Sequence, residues 1–171
     1  MADEEVCWFV ARTRRGQELA LRKRFDELRV EYFIPTKDVW RERRGRKVRV
    51  ETPLIPNMVF LHASKDLACA LANGWGLPLY YIIDHRTRSM LKVPEKQMQD
   101  FRTAVNAAPE SVGTDFPLTP GIRVKVIGGD LAGIEGEVLS LPGTTYVVVC
   151  IGRILCAKVS VPKELLQPVE D

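Results

Sequence analysis

Arginine and lysine are the side chains whose spacing carries chemical meaning in this 171-residue chain. Residues 12–49 hold 14 of them against 6 carboxylates, a local excess of +8, whereas residues 119–171 hold 5 against 6. Arg12, Arg14, Arg15 and Gln17 surround a flexible Gly16, Arg24 follows on the next element, and Arg41-Glu42-Arg43-Arg44-Gly45-Arg46-Lys47 is a second block. Guanidinium groups so placed either keep a face solvated or meet a polyanion or an acidic partner. Nucleophilic and metal chemistry have less support. The four cysteines, Cys7, Cys69, Cys150 and Cys156, form no C-x-x-C pair and sit among apolar neighbours, so they are expected to be buried free thiols. His62 and His85 complete no short-spaced ligand set, and no metal or other cofactor is expected. With no phosphate-binding glycine loop and no Gly-x-Ser-x-Gly, the chain is not expected to be an enzyme.

Such side chains need a scaffold, and 171 residues suit one medium or two small domains. A composition of 46% hydrophobic and 27% charged residues is that of an ordinary globular protein. No apolar run reaches the length of a membrane helix, and Met1-Ala2-Asp3-Glu4-Glu5 is followed by no signal-peptide core, so a cytoplasmic protein without membrane contact is expected.

Residues 7–12 read as a strand, and residues 17–29 as a helix with Leu21, Phe25 and Leu28 on one stripe. Residues 30–39 read as a second strand, and residues 40–50 as a hairpin with its tip near Gly45. The run Pro53-Leu54-Ile55-Pro56-Asn57-Met58-Val59-Phe60-Leu61 holds two prolines, each without a backbone donor. It is predicted to split into an irregular lead-in over 53–57 and a paired strand over 58–62, with large apolar side chains left at a sheet edge for a partner. Ser64 and Gly74 bracket a short helix with Leu67, Ala68 and Leu71 inward. Short strands follow over 79–83 and 88–92, and Pro94 opens a helix with Met98, Phe101 and Val105 on one face. Residues 107–118 read as a linker. Beyond it, short apolar segments over 122–127, 136–141, 145–151, 154–161 and 165–167 predict a small β-barrel of about five strands. The fold class is α+β, with domains over 1–106 and 119–171.

These residues resemble the NusG family of transcription elongation factors across nearly the whole chain. Trp8-Phe9-Val10, Arg14-Arg15-Gly16-Gln17, Pro35 and the run from Pro53 to Phe60 fall in family order. Thr119-Pro120-Gly121-Ile122-Arg123-Val124-Lys125-Val126 with Leu131-Ala132-Gly133-Ile134-Glu135-Gly136-Glu137-Val138 looks like the KOW motif, with Gly136 at its glycine. The resemblance implies an N-terminal NGN α/β sandwich, a mainly antiparallel sheet flanked by helices, and a C-terminal all-β KOW barrel of SH3-like form. General NusG proteins usually carry Phe-Pro-Gly-Tyr where this chain has Ile55-Pro56-Asn57-Met58. Pro56-Asn57-Met58 and the basic-Gly-Gln loop resemble the specialised paralogues of the RfaH and UpxY type.

The resemblance also implies roles. Ile55, Pro56, Asn57, Met58 and Phe60, bordered by Tyr80 and Tyr81, would dock on the clamp helices of the largest RNA polymerase subunit, and a closed clamp would suppress pausing and termination. Arg12, Arg14, Arg15, Gln17 and Arg24 would face the single-stranded non-template DNA. Cys150, Ile151, Gly152 and Arg153 match the loop through which the family's KOW domain recruits ribosomal protein S10 or the terminator Rho. A monomer is expected. In RfaH the KOW domain also folds as a helical hairpin, but Tyr146-Val147-Val148-Val149 disfavours helix, so a permanent barrel is expected here. Two readings stand beside the specialised one: a general NusG factor, and an RNA- or ribosome-binding KOW protein without polymerase affinity.

Overall fold

Aromatic and β-branched residues dominate Val6–Arg12. In the computed structural model, which describes residues 5–113, 121–152 and 154–170, this segment is β1, the centre of a mainly antiparallel sheet. The chain divides into two compact units, Met1–Val93 and Pro94–Asp171. In the first, β1 is followed by α1 (Glu18–Glu27), β2 (Glu31–Phe33), β3 (Thr36–Arg43), β4 (Arg46–Pro53) and β5 (Met58–Ser64). Then come α2 (Lys65–Asn73), β6 (Tyr80–Tyr81), β7 (Ile83–Asp84), β8 (Ser89–Met90) and β9 (Lys92–Val93). β5 pairs with all of β1, from Val6 opposite Ser64 to Arg12 opposite Met58. β2 extends the sheet beyond β5, while β6 and β9 pair with the other edge of β1.

Ala11, Val59 and Leu61 on the sheet meet Leu21 and Phe25 of α1 and Leu71 of α2 in one core. Burying each of the larger side chains stabilises by about 1.5–3 kcal/mol. Leu21 and Phe25 lie inward as their i, i+4 spacing predicts, but the helix stops early. Leu28 is its C-cap and Arg29 takes a φ of 56°. Ser64 caps α2 as expected, its hydroxyl accepting from Leu67 N at 3.1 Å, and Gly74 is the C-cap with an ordinary helical φ of −73°. Leu67 faces outward at 40% exposure, a correction to its predicted inward position.

The single strand expected over residues 30–39 is two strands serving different sheets. β2 pairs with β5, whereas β3 pairs with β4 in a separate two-stranded ribbon. The break falls at Ile34-Pro35, because Pro35 has no N–H to give a ladder. Its carbonyl instead accepts from Leu54 N at 2.8 Å.

In the second unit, α3 (Glu95–Ala107) precedes β10 (Arg123–Val126), β11 (Glu135–Leu141), β12 (Thr144–Ile151), β13 (Leu155–Ser160) and β14 (Leu166–Pro168). The strands form an antiparallel sheet in the order β13-β12-β11-β10-β14. Among the described residues no ladder joins β13 to β14, so the hydrogen-bonded order is open where a closed barrel was expected. Burial alternates along β12, with Thr145, Val147, Val149 and Ile151 inward. Gly136 lets β11 approach β12: a Cβ there would collide with the Val148 carbonyl oxygen.

Composition assigns α3 to the first domain, whereas the compact division groups it with the second. Asp100, 6% exposed, accepts from Lys96 Nζ at 2.6 and 2.8 Å and from Glu135 N at 3.2 Å. Lys96 also donates to the Gly133 carbonyl at 2.6 Å, and Gln97 donates to the Cys150 carbonyl. Part of the expected linker is structured: residues 109–111 make a 3-10 turn, and Gly113 exchanges two 3.0 Å backbone hydrogen bonds with Cys156. Residues 114–118 of that linker lie outside the described residues. Cys150 and Cys156 stand directly opposite on β12 and β13 and are joined by a disulfide, which corrects the expectation of four free thiols. Cys7 and Cys69 are free and half-buried. No helix among the described residues is long and apolar enough to cross a membrane.

Candidate functional site

The chain from β4 to β5 turns at Ile55-Pro56-Asn57 with Asn57 at a φ of 63°, in the left-handed region that glycine and asparagine tolerate best. Two hydrogen bonds fix this corner to the basic loop that follows β1. Asn57 N donates to Glu18 Oε1 at 2.8 Å, and Thr13 N donates to the Asn57 carbonyl at 3.0 Å. Glu18 is 3% exposed at the start of α1, where the unpaired helix amides favour a carboxylate. Its role was not anticipated from sequence. The only hint was an acidic residue directly after the Arg14-Arg15-Gly16-Gln17 block.

Around this anchor the loop is outward. Gly16 turns at a φ of 82°, Gln17 N donates to the Arg14 carbonyl at 3.1 Å, and Arg14, Arg15 and Gln17 are all exposed. The Gln17 side chain makes no capping bond to α1, and its amide has no hydrogen-bond partner among the described residues. Arg12 is exposed at the end of β1, opposite Met58 on one side and Tyr80 on the other. An open groove of about 580 Å³ is lined by Arg14, Gln17, Asn73, Pro78, Leu79 and Tyr80 among others. It brings residues with two different predicted roles, DNA contact and protein docking, onto one surface.

Other expected positions are not presented. Ile55, Met58 and Phe60 are 6%, 7% and 0% exposed, and Phe60 packs on Phe33 at 5.8 Å. These side chains are core, so the apolar edge foreseen for a partner is reduced to the exposed Pro56 and Asn57 with the 55% exposed Tyr80. Tyr81 is half-buried and donates to the Ala68 carbonyl at 2.6 Å, tying α2 to the sheet. Burial pushes its phenol well above the usual range, and the nearby Cys69 adds to this. Arg24 is ion-paired to Glu27 at 2.8 Å on the far part of α1, and no contact joins it to the loop among the described residues. In the second unit, Ile151 is fully buried, Cys150 is held in the disulfide and Gly152 is exposed at a φ of 52°. Arg153 lies outside the described residues. Among the described residues no group of three potential ligands could hold a metal ion.

The family model described as "Transcription termination factor nusG" matches residues 6–102. No curated protein matches the chain. Among solved structures, the chain is similar to one described as "Crystal Structure of MjSpt4:Spt5 complex conformation B", at 12% sequence identity and a TM-score of 0.30, over 96% of this chain and 97% of that one.

Proposed function

Because a family model spanning more than half of the chain matches it, the chain belongs to the NusG family, a family of non-enzymatic transcription factors, and we propose that it is a specialised elongation and antitermination factor. It docks on the clamp helices of RNA polymerase through Pro56, Asn57 and Tyr80, bridges the cleft, and suppresses pausing and termination. Arg12, Arg14, Arg15 and Gln17 hold the single-stranded non-template DNA: the arginines take phosphates and the free Gln17 amide reads a base edge.

The observation that carries this reading is the pair of hydrogen bonds from Thr13 to Asn57 and from Asn57 to Glu18. They make the protein-docking corner and the DNA loop one rigid piece, so engaging the polymerase positions the loop for the strand. Asn57 supports the specialised form. It adopts a left-handed backbone, which glycine takes most easily, where general NusG proteins usually carry glycine, yet it adds a carboxamide at an exposed position of the docking surface. The exposed Gly152 hairpin of the second unit recruits ribosomal protein S10 or Rho.

A pull-down with core RNA polymerase tests the docking surface. Tyr80→Ala is expected to lower retention about ten-fold or more, in line with an anchoring tyrosine in an interface. Arg14→Ala with Arg15→Ala is expected to leave polymerase retention intact and abolish crosslinking to the non-template strand. Unchanged retention of the Tyr80 variant would overturn this docking surface, and a parent chain that core polymerase does not retain would favour a KOW protein without polymerase affinity.

A further inference from the structure

The β3–β4 ribbon belongs to neither half of the function proposed above. It pairs with no other strand among the described residues, and its eight cross-strand pairs run from Thr36 opposite Pro53 to Arg43 opposite Arg46. Its inner half is electrostatically closed: Asp38 holds Arg49 at 3.0 Å, and Glu51 accepts from Arg22 at 2.6 Å and from Thr36 at 2.9 Å. Its outer half is not. Arg41, Arg43, Arg44, Arg46 and Lys47 face a single carboxylate, Glu42, and none of the five has an ion-pair partner among the described residues.

That arrangement works against the fold. Arg43 and Arg46 are directly opposite each other, and like charges at such a pair destabilise a ladder. Arg44 enters the turn at a φ of 51° and Gly45 at 77°, the two-residue turn in which asparagine would fit the first position better than arginine. A polyanion alongside relieves the repulsion.

The chemistry of that polyanion follows from Trp40. Its side chain is 69% exposed on the ribbon face it shares with Lys47 and Arg49, and a shallow depression beside it is lined by Trp40, Arg41, Glu42 and Lys47. An indole open on a surface this polar offers a flat stacking platform, and cations around it track a phosphate backbone. The two together are the recognition elements of single-stranded nucleic acid. A duplex would leave the indole with no unpaired base, and an acidic peptide would leave it with nothing to stack on.

We propose that the outer half of the β3–β4 ribbon is a binding site for single-stranded nucleic acid, in which Trp40 stacks on one base, Lys47 on the same face takes a flanking phosphate, and Arg44 at the turn with Arg43 and Arg46 on the opposite face hold the strand as it passes round the tip. The site is separate from the Arg14–Gln17 loop and needs no polymerase, so a failure of the docking reading leaves it standing.

Fluorescence anisotropy of the full-length chain with labelled twelve-nucleotide oligo(dT), twelve-nucleotide oligo(rU) and a twelve-base-pair duplex tests it. Binding to either or both single strands, tighter than to the duplex, is expected. Trp40→Ala should weaken it about ten-fold or more while Trp40→Phe retains most of it. Arg43→Glu with Arg46→Glu should weaken it and lower the log-log salt slope by about 0.7 for each phosphate no longer held. All of these side chains are exposed, so circular dichroism should report an unchanged fold. Arg14→Glu with Arg15→Glu should leave a residual affinity that Trp40→Ala then removes. Equal or tighter binding of the duplex, displacement by polyglutamate as effective as by oligonucleotide, or ribbon variants indistinguishable from the parent would each overturn the proposal.

Discussion

Asn57 shows how a single backbone angle joins two surfaces. At a φ of 63° its N–H meets Glu18 and its carbonyl meets Thr13, and a β-branched residue at that angle is strained. Asn57→Val is therefore expected to destabilise the protein by about 1–3 kcal/mol, and Asn57→Gly to leave the melting temperature nearly unchanged. Thermal unfolding followed by circular dichroism reads both, and equal melting temperatures for the two variants would remove the angle as the cause. Gly136 is a second such position, held by space rather than by angle. An added methyl meets the Val148 carbonyl and the Val147 side chain, so Gly136→Ala should cost about 1–3 kcal/mol in urea unfolding. Sequence reading located both residues by their neighbours, Pro56 before one and the KOW pattern around the other. It missed Glu18, because one acidic residue at a helix start looks the same whether it is solvated or buried against a backbone amide 39 positions away. It missed the disulfide for a related reason: a sequence separation of six spans a hairpin, and only the register of β12 on β13 shows that the two cysteines face each other.

At the level of elements, periodicity was most legible where one face is buried and the other wet. The α1 stripe, the alternation of β12 and the Ser64 cap all follow from local pattern. Residues 30–39 did not yield in the same way, because an apolar run with Pro35 inside it reads alike whether one strand bends or two strands part. The docking side chains were overextended for a similar reason. β5 is buried on both faces from Met58 to Leu61, so alternation gives no outward set. The parting at Pro35 makes the base of the β3–β4 ribbon depend on side chains, with Glu51 taking hydrogen bonds from Arg22 and Thr36. Those bonds hold the Glu51 carboxyl below its ordinary value of 4.5 and raise Arg22 further. A depressed folded-state value means that the stabilisation is fully present above pH 4.5 and fades as pH falls through the lowered value. The side chains are 34% and 40% exposed, so the effect is local and weak. Amide exchange at the base of the ribbon is expected to speed up in acid relative to the β1–β5 ladder, after correction for intrinsic rates. In Glu51→Gln that acid step should vanish, and its persistence would place the cause elsewhere.

For the molecule as a whole, the open question is where one folding unit ends. Composition places the boundary in the proline- and glycine-bearing stretch 107–118, which assigns α3 to the first domain. The compact division falls between Val93 and Pro94, whereas the family match runs on to residue 102, inside α3; we propose that α3 nevertheless folds as part of the second domain. Its polar ties support this: Asp100 to Glu135 N, Lys96 to the Gly133 carbonyl, and Gln97 to the Cys150 carbonyl. Cutting at residue 107 removes these hydrogen bonds and leaves the Glu135 amide and two carbonyls to water, and each bond lost costs about 0.5–1.5 kcal/mol. A β-sheet of about 50 residues has little stability in reserve, so that loss is a large share of the total. Residues 94–171 expressed alone are therefore expected to unfold cooperatively in urea at a clearly higher midpoint than residues 107–171. Asp100→Ala in the longer fragment should close part of the gap. Equal midpoints for the two fragments would return α3 to the first domain and restore the boundary that composition suggested.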